Sequence, residues 1–350
     1  MSFMKKPTAR HPKLPVNDLG LTVRDYEGGM STLCAGCGHD SISAAIRQAC
    51  FKSSIPPHRI AKVSGIGCSS KMPTYFMSKS HGFNSVHGRM PSVATGASLA
   101  NRDLTFIGVS GDGDTASIGM GQFIHLVRRN VNMTYIVANN GCYGLTKGQD
   151  SATADLGSVS KSGAVNPFDG IDLASLALLQ GASFVARSFS GDKEQLEPLI
   201  RAAMSHKGFA FIDVVSPCVT FNNHVGSTKS YTETREHLDP MPLDFVPMRE
   251  EIRTQYQAGT TQGITLHDGS VIHLHKASAD YQSDDRQAAL NAVQDSREEG
   301  RILTGLLFLD PNSQDLNQNI NLAMRPLNEL SDEELCPGSR VLNSVNEGLR

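Results

Sequence analysis

The sequence predicts an α/β fold: a mostly parallel sheet with helices on both faces, followed by a C-terminal extension. Two observations carry that reading. Leu104–Ser110 and Met133–Ala138 are nearly continuous apolar runs, the pattern of strands buried on both faces. Helical patterns alternate with such runs from about residue 40 to 215, and strand–helix–strand alternation implies parallel pairing.

Residues 1–30 are polar, punctuated by Pro and Gly, and read as an N-terminal arm. A first helix is expected after Cys37-Gly38-His39-Asp40, with Asp40 as N-cap and Ile42, Ala45, Ile46 and Ala49 forming one apolar face. A short strand, Ile60–Val63, leads into the Gly-rich turn Ser64–Ser69. After the loop His87-Gly88-Arg89 comes a small-residue helix with Pro91 in its first turn, ending near Asn101. The run Leu104–Ser110 is followed by Gly111-Asp112-Gly113-Asp114, a helix over Thr115–Arg129, and the strand Met133–Ala138, which together make a βαβ unit. Further helices are expected near Leu173–Gln180 and Lys193–His206, with strands at Ser183–Ala186 and Phe209–Val215, where the α/β core could close. The core domain is thus assigned to 31–220 and a loop-rich region to 221–310, with a helix at Glu250–Gln257 and a hairpin over 264–275 around Asp268-Gly269. The tail, 311–350, reads as an interface arm.

Composition narrows the function classes. The 350 residues are 39% hydrophobic and 19% charged with a net charge of −3, which fits a folded globular chain rather than a disordered one. No basic block suggests nucleic acid or an anionic membrane, no run is apolar enough for a span, and no secretory signal pattern is present. A cytoplasmic location is expected. Seven cysteines are too few for a disulfide framework in such a chain, so thiols that act as ligands are the better reading.

In an open parallel sheet, ligands sit at the carboxyl ends of strands, where a Gly turn entering a helix offers free N–H groups to a phosphate. Gly111-Asp112-Gly113 occupies that place, and its carboxylate can hold Mg²⁺ that bridges phosphate oxygens. Asn140, 28 residues later, follows the next strand within Asn139-Asn140-Gly141-Cys142-Tyr143-Gly144 and adds oxygen donors. The competing dinucleotide reading lacks a G-x-G-x-x-G followed by an acidic residue at about twenty positions. The pair resembles the signature of thiamine diphosphate enzymes. On that resemblance Asp112, Asn140 and the Cys142 carbonyl ligate Mg²⁺, and the fold is of the pyrophosphate-domain type.

The pair Cys34 and Cys37 forms a C-x-x-C that fits a zinc site, a redox pair or an iron–sulfur cluster. Cys68 and Cys218 are isolated further ligand candidates, while Cys50, Cys142 and Cys336 read as plain small side chains. A wider likeness adds to this. The runs C-A-G-C-G-H, G-I-G-C-S, H-G-R, G-D-G-D and N-N-G-C-Y-G-L-T-K occur in an order and spacing that resembles the β subunits of 2-oxoacid:ferredoxin oxidoreductases, over roughly 30–310.

That resemblance implies a [4Fe–4S] cluster on Cys34, Cys37, Cys68 and Cys218. It implies cofactor contacts from Ile66, Gly67, Cys68, Ser69, His87, Gly113, Asp114, Gly144 and Leu145. Lys71 and Lys147, and less strongly Arg89, would face the 2-oxoacid or coenzyme A. The implied reaction is oxidative decarboxylation to an acyl-CoA with electrons leaving to ferredoxin, or its reversal, in a heterodimer or α2β2 assembly with an α subunit that completes the site. The stretches Asn223–Tyr231 and R-I-L-T-G-L-L-F-L-D-P look most like the 2-oxoglutarate members, with pyruvate or branched 2-oxoacids as alternatives. A structural zinc scaffold and a non-redox thiamine decarboxylase half are the readings from other classes.

Overall fold

The computed structural model describes residues 13–158, 163–220, 252–266, 271–336 and 338–349. A nine-stranded sheet runs through the molecule. Its strands are β1 (Ile60–Ser64), β2 (His81–Asn84), β3 (Thr105–Gly111), β4 (Met133–Asn139), β7 (Phe184–Phe189), β8 (Phe209–Val215), β9 (Thr261–Thr265), β10 (Val271–Lys276) and β11 (Arg301–Leu309). A separate short ladder pairs β5 (Cys142–Tyr143) with β6 (Gln149–Asp150). The sheet order is β2-β1-β3-β4-β8-β7-β11-β10-β9. Pairing is parallel from β2 through to β7 and between β10 and β11, and antiparallel at β7–β11 and β9–β10.

Alternate side chains of the strands feed two cores, one on each face. Ile107, Val109, Ile136, Ala210, Ile212 and Val214 pack against α1 (Gly38–Lys52) and α5 (Lys193–Ser205). Phe106, Tyr135, Val137, Phe209 and Phe211 face α2 (Met90–Ala100), α3 (Met120–Arg129), α4 (Leu173–Leu179) and α6 (Arg286–Glu298). The apolar run of β8 therefore splits cleanly by its period of two. Asp213 sits on the aromatic face, where burial would be costly without a partner. The Arg187 guanidinium supplies one at 3.0 Å and also reaches Asp172, the N-cap of α4, at 2.6 Å.

The expected apolar face of α1 is buried at Ile42, Ala45, Ile46 and Ala49, but Cys37, not Asp40, is its N-cap. Asp40 instead lies in the first turn, where a carboxylate still suits the helix dipole. The helix expected over Thr115–Arg129 is broken. Residues Gly113–Ile118 form a π turn closed by the Gly119 amide on the Asp114 carbonyl at 2.8 Å, and α3 begins only at Met120. The break lies where Gly119 touches Gly88: a Cβ there would sit 2.6 Å from the Asp114 carbonyl oxygen and 2.9 Å from Gly88 Cα.

Other differences have local causes. A 3₁₀ turn over Ser69–Tyr75 and the exposed edge strand β2 carry no apolar periodicity to announce them. The sheet does not close at Val215: β11 adds to β7 in antiparallel register, and α6 covers it. Residues 252–257 are not helical, and 250–251 lie outside the described residues. The β9–β10 pairing makes the expected hairpin, with Asp268-Gly269 outside the described residues, as are Asn223–Tyr231. The tail forms short turns and a helix, α7 (Ser339–Gly348), none of whose residues is buried.

Candidate functional site

The loops after β1, β3 and β4 meet at one rim of the sheet and form a cleft. Ile66, Gly67, Cys68 and Ser69 line it from the first loop and His87 from the loop before α2. Asp112, Gly113 and Asp114 line it from the second loop, and Asn140, Cys142, Gly144 and Leu145 from the third. The site thus lies where the parallel strands point their carboxyl ends, and the polypeptide runs from β1 outward to β2 on one side and to β3 on the other.

Asp112 is 1% exposed and forms no ion pair among the described residues. One carboxylate oxygen accepts the hydroxyls of Ser151 and, at 2.7 Å, Thr153; the other faces the Asn140 amide at 3.4 Å. Burial pushes its carboxyl up, and those hydrogen bonds work against that shift. Asn140 Oδ1 accepts the Cys142 amide at 3.1 Å, which folds its side chain back over the turn. A buried carboxylate without a cation, beside an amide oxygen, is a donor set suited to a hard divalent ion. The residues present therefore fit a Mg²⁺–diphosphate group.

Glycines make the close approaches possible. A Cβ on Gly113 would lie 2.4 Å from the Tyr143 ring, whose hydroxyl donates to the Gly113 carbonyl at 3.2 Å. A Cβ on Gly65 would lie 1.8 Å from Asp114 Oδ2. Asp114 faces the cleft but works mainly as a clasp: its carboxylate accepts the Gly88 amide at 2.8 Å and the Ser110 hydroxyl at 3.0 Å, and it packs directly against Gly65 of the first loop.

The thiols gather beside this cleft. Cys37 caps α1 and Cys68 caps the 3₁₀ turn. Cys37 and Cys68 each feel the charges of Cys34 and Cys218, and the Thr220 hydroxyl contacts Cys34 Sγ at 2.9 Å. Burial pushes the Cys37 thiol up to about 12 and the Cys68 thiol up as well. None of the seven cysteines forms a disulfide, and among the described residues no three His, Cys, Asp or Glu side chains close on a single ion. Four converging thiols are the soft donors an iron–sulfur cluster uses, so this set fits one. Cys50 is buried in the core and Cys336 exposed in the tail, as expected of plain side chains. Cys142 lines the cleft, and the neighbouring Cys218 thiol pushes its own up.

Lys71 and Lys147 are exposed and do not line the cleft. Lys71 is close enough for its charge to act on Cys68. Lys147 stands in a left-handed turn, with φ of 82°. Arg89 is exposed at the N-cap of α2.

Sequence reasoning missed three contributors. His39, buried in the cleft wall, shares a 2.7 Å hydrogen bond between Nδ1 and Ser216 Oγ, and burial pushes it down to about 4, which keeps the ring neutral. Its place directly after the C-x-x-C-G run was the available signal. Ser151 and Thr153, which hold Asp112, sit in a stretch with no periodicity and gave none.

Comparison with known proteins bears on this geometry. Residues 65–214 match the family described as thiamine pyrophosphate enzyme, C-terminal TPP binding domain. The chain is 43% identical over 292 residues to 2-oxoacid:ferredoxin oxidoreductase 1, subunit beta, of Aeropyrum pernix, covering 79% of this chain and 90% of that protein. It is 43% identical to the 2-oxoacid:ferredoxin oxidoreductase subunit beta of Saccharolobus solfataricus, over 60% of this chain and 68% of that one. A solved 2-oxoglutarate:ferredoxin oxidoreductase from Magnetococcus marinus, with 2-oxoglutarate, coenzyme A and succinyl-CoA bound, superposes with a TM-score of 0.69 at 30% identity, covering 89% of this chain and 90% of that one. No described helix is long and apolar enough to cross a membrane.

Proposed function

Because this chain belongs to the β subunits of the 2-oxoacid:ferredoxin oxidoreductases, we propose that it binds Mg²⁺–thiamine diphosphate and one [4Fe–4S] cluster and acts on 2-oxoglutarate. The observation that carries this reading is that Asp112 and Cys68 line one cleft, so the oxygen donors and the thiol nest share a wall. The choice of 2-oxoglutarate is supported by the Magnetococcus enzyme and by a Mycobacterium tuberculosis relative named 2-oxoglutarate oxidoreductase subunit KorB, 42% identical over 54% of this chain and 51% of that one.

Each residue then has a task. Asp112, Asn140 and the Cys142 carbonyl hold the metal, with Ser151 and Thr153 fixing the Asp112 carboxylate. The backbone of Ile66–Ser69 and Gly113 receives the diphosphate, and Asp114 keeps these loops and that of His87 in register. Gly144 and Leu145 close the outer wall. Cys34, Cys37, Cys68 and Cys218 ligate the cluster. Lys71 and Lys147 attract the anionic 2-oxoacid or coenzyme A to the rim. When bound, thiamine diphosphate supplies the electron sink for decarboxylation and the cluster takes up single electrons. Ferredoxin is the external acceptor, and an α subunit completes the assembly. The N-terminal arm and the 311–350 tail serve as contacts in that assembly; exposed Val341, Leu342 and Val345 on α7 support this for the tail. Cysteines that form no disulfide suit the reducing cytoplasm.

The test is co-expression with the α subunit followed by 2-oxoacid-dependent reduction of a low-potential dye. Reduction with 2-oxoglutarate that depends on coenzyme A is the expected result. Reduction with pyruvate alone overturns the substrate assignment, and a colourless zinc protein overturns the cluster.

A further inference from the structure

Asn139 is the half of the Asn139-Asn140 pair to which the metal site gives no task. It is the last residue of β4, and its side chain turns toward β8, where the amide nitrogen donates to Asp213 Oδ1 at 3.1 Å. Its backbone carbonyl accepts the Ser216 amide at 2.7 Å, so the residue is held from two sides. Asp213 is itself fixed: its other oxygen accepts Arg187 Nε at 3.0 Å, and the same guanidinium donates to Asp172 at 2.6 Å. That anchoring sets the direction of the Asn139 amide. A carboxylate paired with a guanidinium only accepts, so the NH₂ end must face Asp213 and the oxygen must face away from it. The oxygen meets Thr153 Oγ1 at 3.0 Å, and the same hydroxyl lies 2.7 Å from Asp112 Oδ2.

We infer that Asn139 is a positioning residue for the metal site: it holds the Thr153 hydroxyl on Asp112 and so sets that carboxylate for a divalent cation. This rests on the Mg²⁺ reading given above. Thr153 has one hydrogen for two acceptors and shares it between them, a three-centre arrangement that keeps the hydroxyl in one orientation. Thr153 follows the β5–β6 ladder on a loop and needs such an anchor. Without Asn139 its hydrogen is free to turn to Ser151 Oγ, 3.0 Å away, which already donates to the same carboxylate oxygen. Groups that orient a ligating carboxylate from behind change metal affinity by about ten- to a hundredfold when removed. The two asparagines thus divide the work: Asn140 offers an oxygen to the ion, and Asn139 ties the loop that supports Asp112 to the buried Arg187–Asp213 pair of the sheet.

The experiment is a calorimetric titration of Mg²⁺, at a fixed concentration of thiamine diphosphate, into the chelator-treated complex of this chain with its α subunit. The variants are Asn139→Leu, Thr153→Val, Thr153→Ser and the double Asn139→Leu/Thr153→Val. Removing the Asn139 bond to Asp213 costs the same with and without the ion, so that cost cancels from the affinity. The expected result is Mg²⁺ binding weakened about tenfold or more in Asn139→Leu and in Thr153→Val, and wild-type binding in Thr153→Ser, which keeps the hydroxyl. The double variant should bind no more weakly than Thr153→Val alone, because Asn139 acts through Thr153 and the two losses are one. Should the Leu variant fail to fold by circular dichroism, Asn139→Ala carries the same reading. Wild-type Mg²⁺ affinity in the Asn139 variant, a double variant equal to the product of the singles, or a Ser variant as weak as Val overturns the inference. A wild-type complex that binds thiamine diphosphate without any divalent cation overturns the metal reading itself, which is a separate failure.

Discussion

The Asp114 carboxylate accepts the Gly88 amide at 2.8 Å, binding the loop before α2 to the turn after β3. With the Ser110 hydroxyl as its other hydrogen-bond partner and Gly65 packed against it, this one side chain ties the turn after β3 to the loops after β1 and before α2. Cutting it should cost about 1–3 kcal/mol, the penalty for leaving buried donors without an acceptor. Asp114→Ala is expected to lower denaturant stability by that amount and to weaken thiamine diphosphate binding, read by calorimetry. Unchanged binding would show that the loops hold their places without the clasp.

Asp112→Ala should abolish Mg²⁺-dependent binding of thiamine diphosphate while the far-ultraviolet circular dichroism stays that of the wild type. The residue is a buried carboxylate that forms no ion pair among the described residues, and its removal leaves Ser151 and Thr153 to pair with each other at 3.0 Å. Wild-type cofactor affinity in the variant would remove Asp112 from the site.

Gly113→Ala places a methyl 2.4 Å from the Tyr143 ring, which must swing away and open the wall of the cleft. Cofactor affinity is expected to fall about tenfold or more, roughly 1.4 kcal/mol. Tyr143→Leu in the same chain should recover part of the loss, because the two changes share one contact and are not additive. A double variant that is simply the sum of the two singles would refute the packing account.

Lys62 gives a pH signature. Its ammonium is buried and donates to the carbonyls of Pro73 at 2.6 Å, Phe76 at 2.7 Å and Met77 at 3.0 Å, tying β1 to the end of the 3₁₀ turn that begins after Cys68. Burial lowers its pKa from 10.5 to about 8. Between those values the unfolded chain binds more protons than the folded one, so the folded state gains stability as pH rises through that window. The stability of the wild type minus that of Lys62→Met should stay constant below about pH 8 and rise, whatever its starting sign, from there to 10.5. A fall in that quantity as pH rises would contradict the buried-ammonium account.

Cys218→Ser should bleach the visible absorbance of the complex and reduce its iron and acid-labile sulfide. The residue lies within electrostatic reach of Cys37, Cys68 and Cys142, so its loss opens one side of the nest. Full iron content in the variant would strike it from the ligand set.

What the amino-acid order determined by itself was whatever depends on neighbours in the chain. The apolar runs that became β3, β4 and β8, the i, i+3, i+4 face of α1, and the placing of Asp112 and Asn140 just beyond two adjacent strands all follow from local period and turn chemistry. Tertiary structure alone decided what depends on distant partners. Asp112 takes its support from hydroxyls 39 and 41 positions away, and His39 is set by Ser216, 177 positions on. The π turn ends where Gly119 meets Gly88 from another loop, and β11 joins the sheet along an edge that β7 offers. Hydrogen bonds and close packing between remote segments leave no periodic trace, since each depends on where two loops arrive in space rather than on what stands beside them in the sequence.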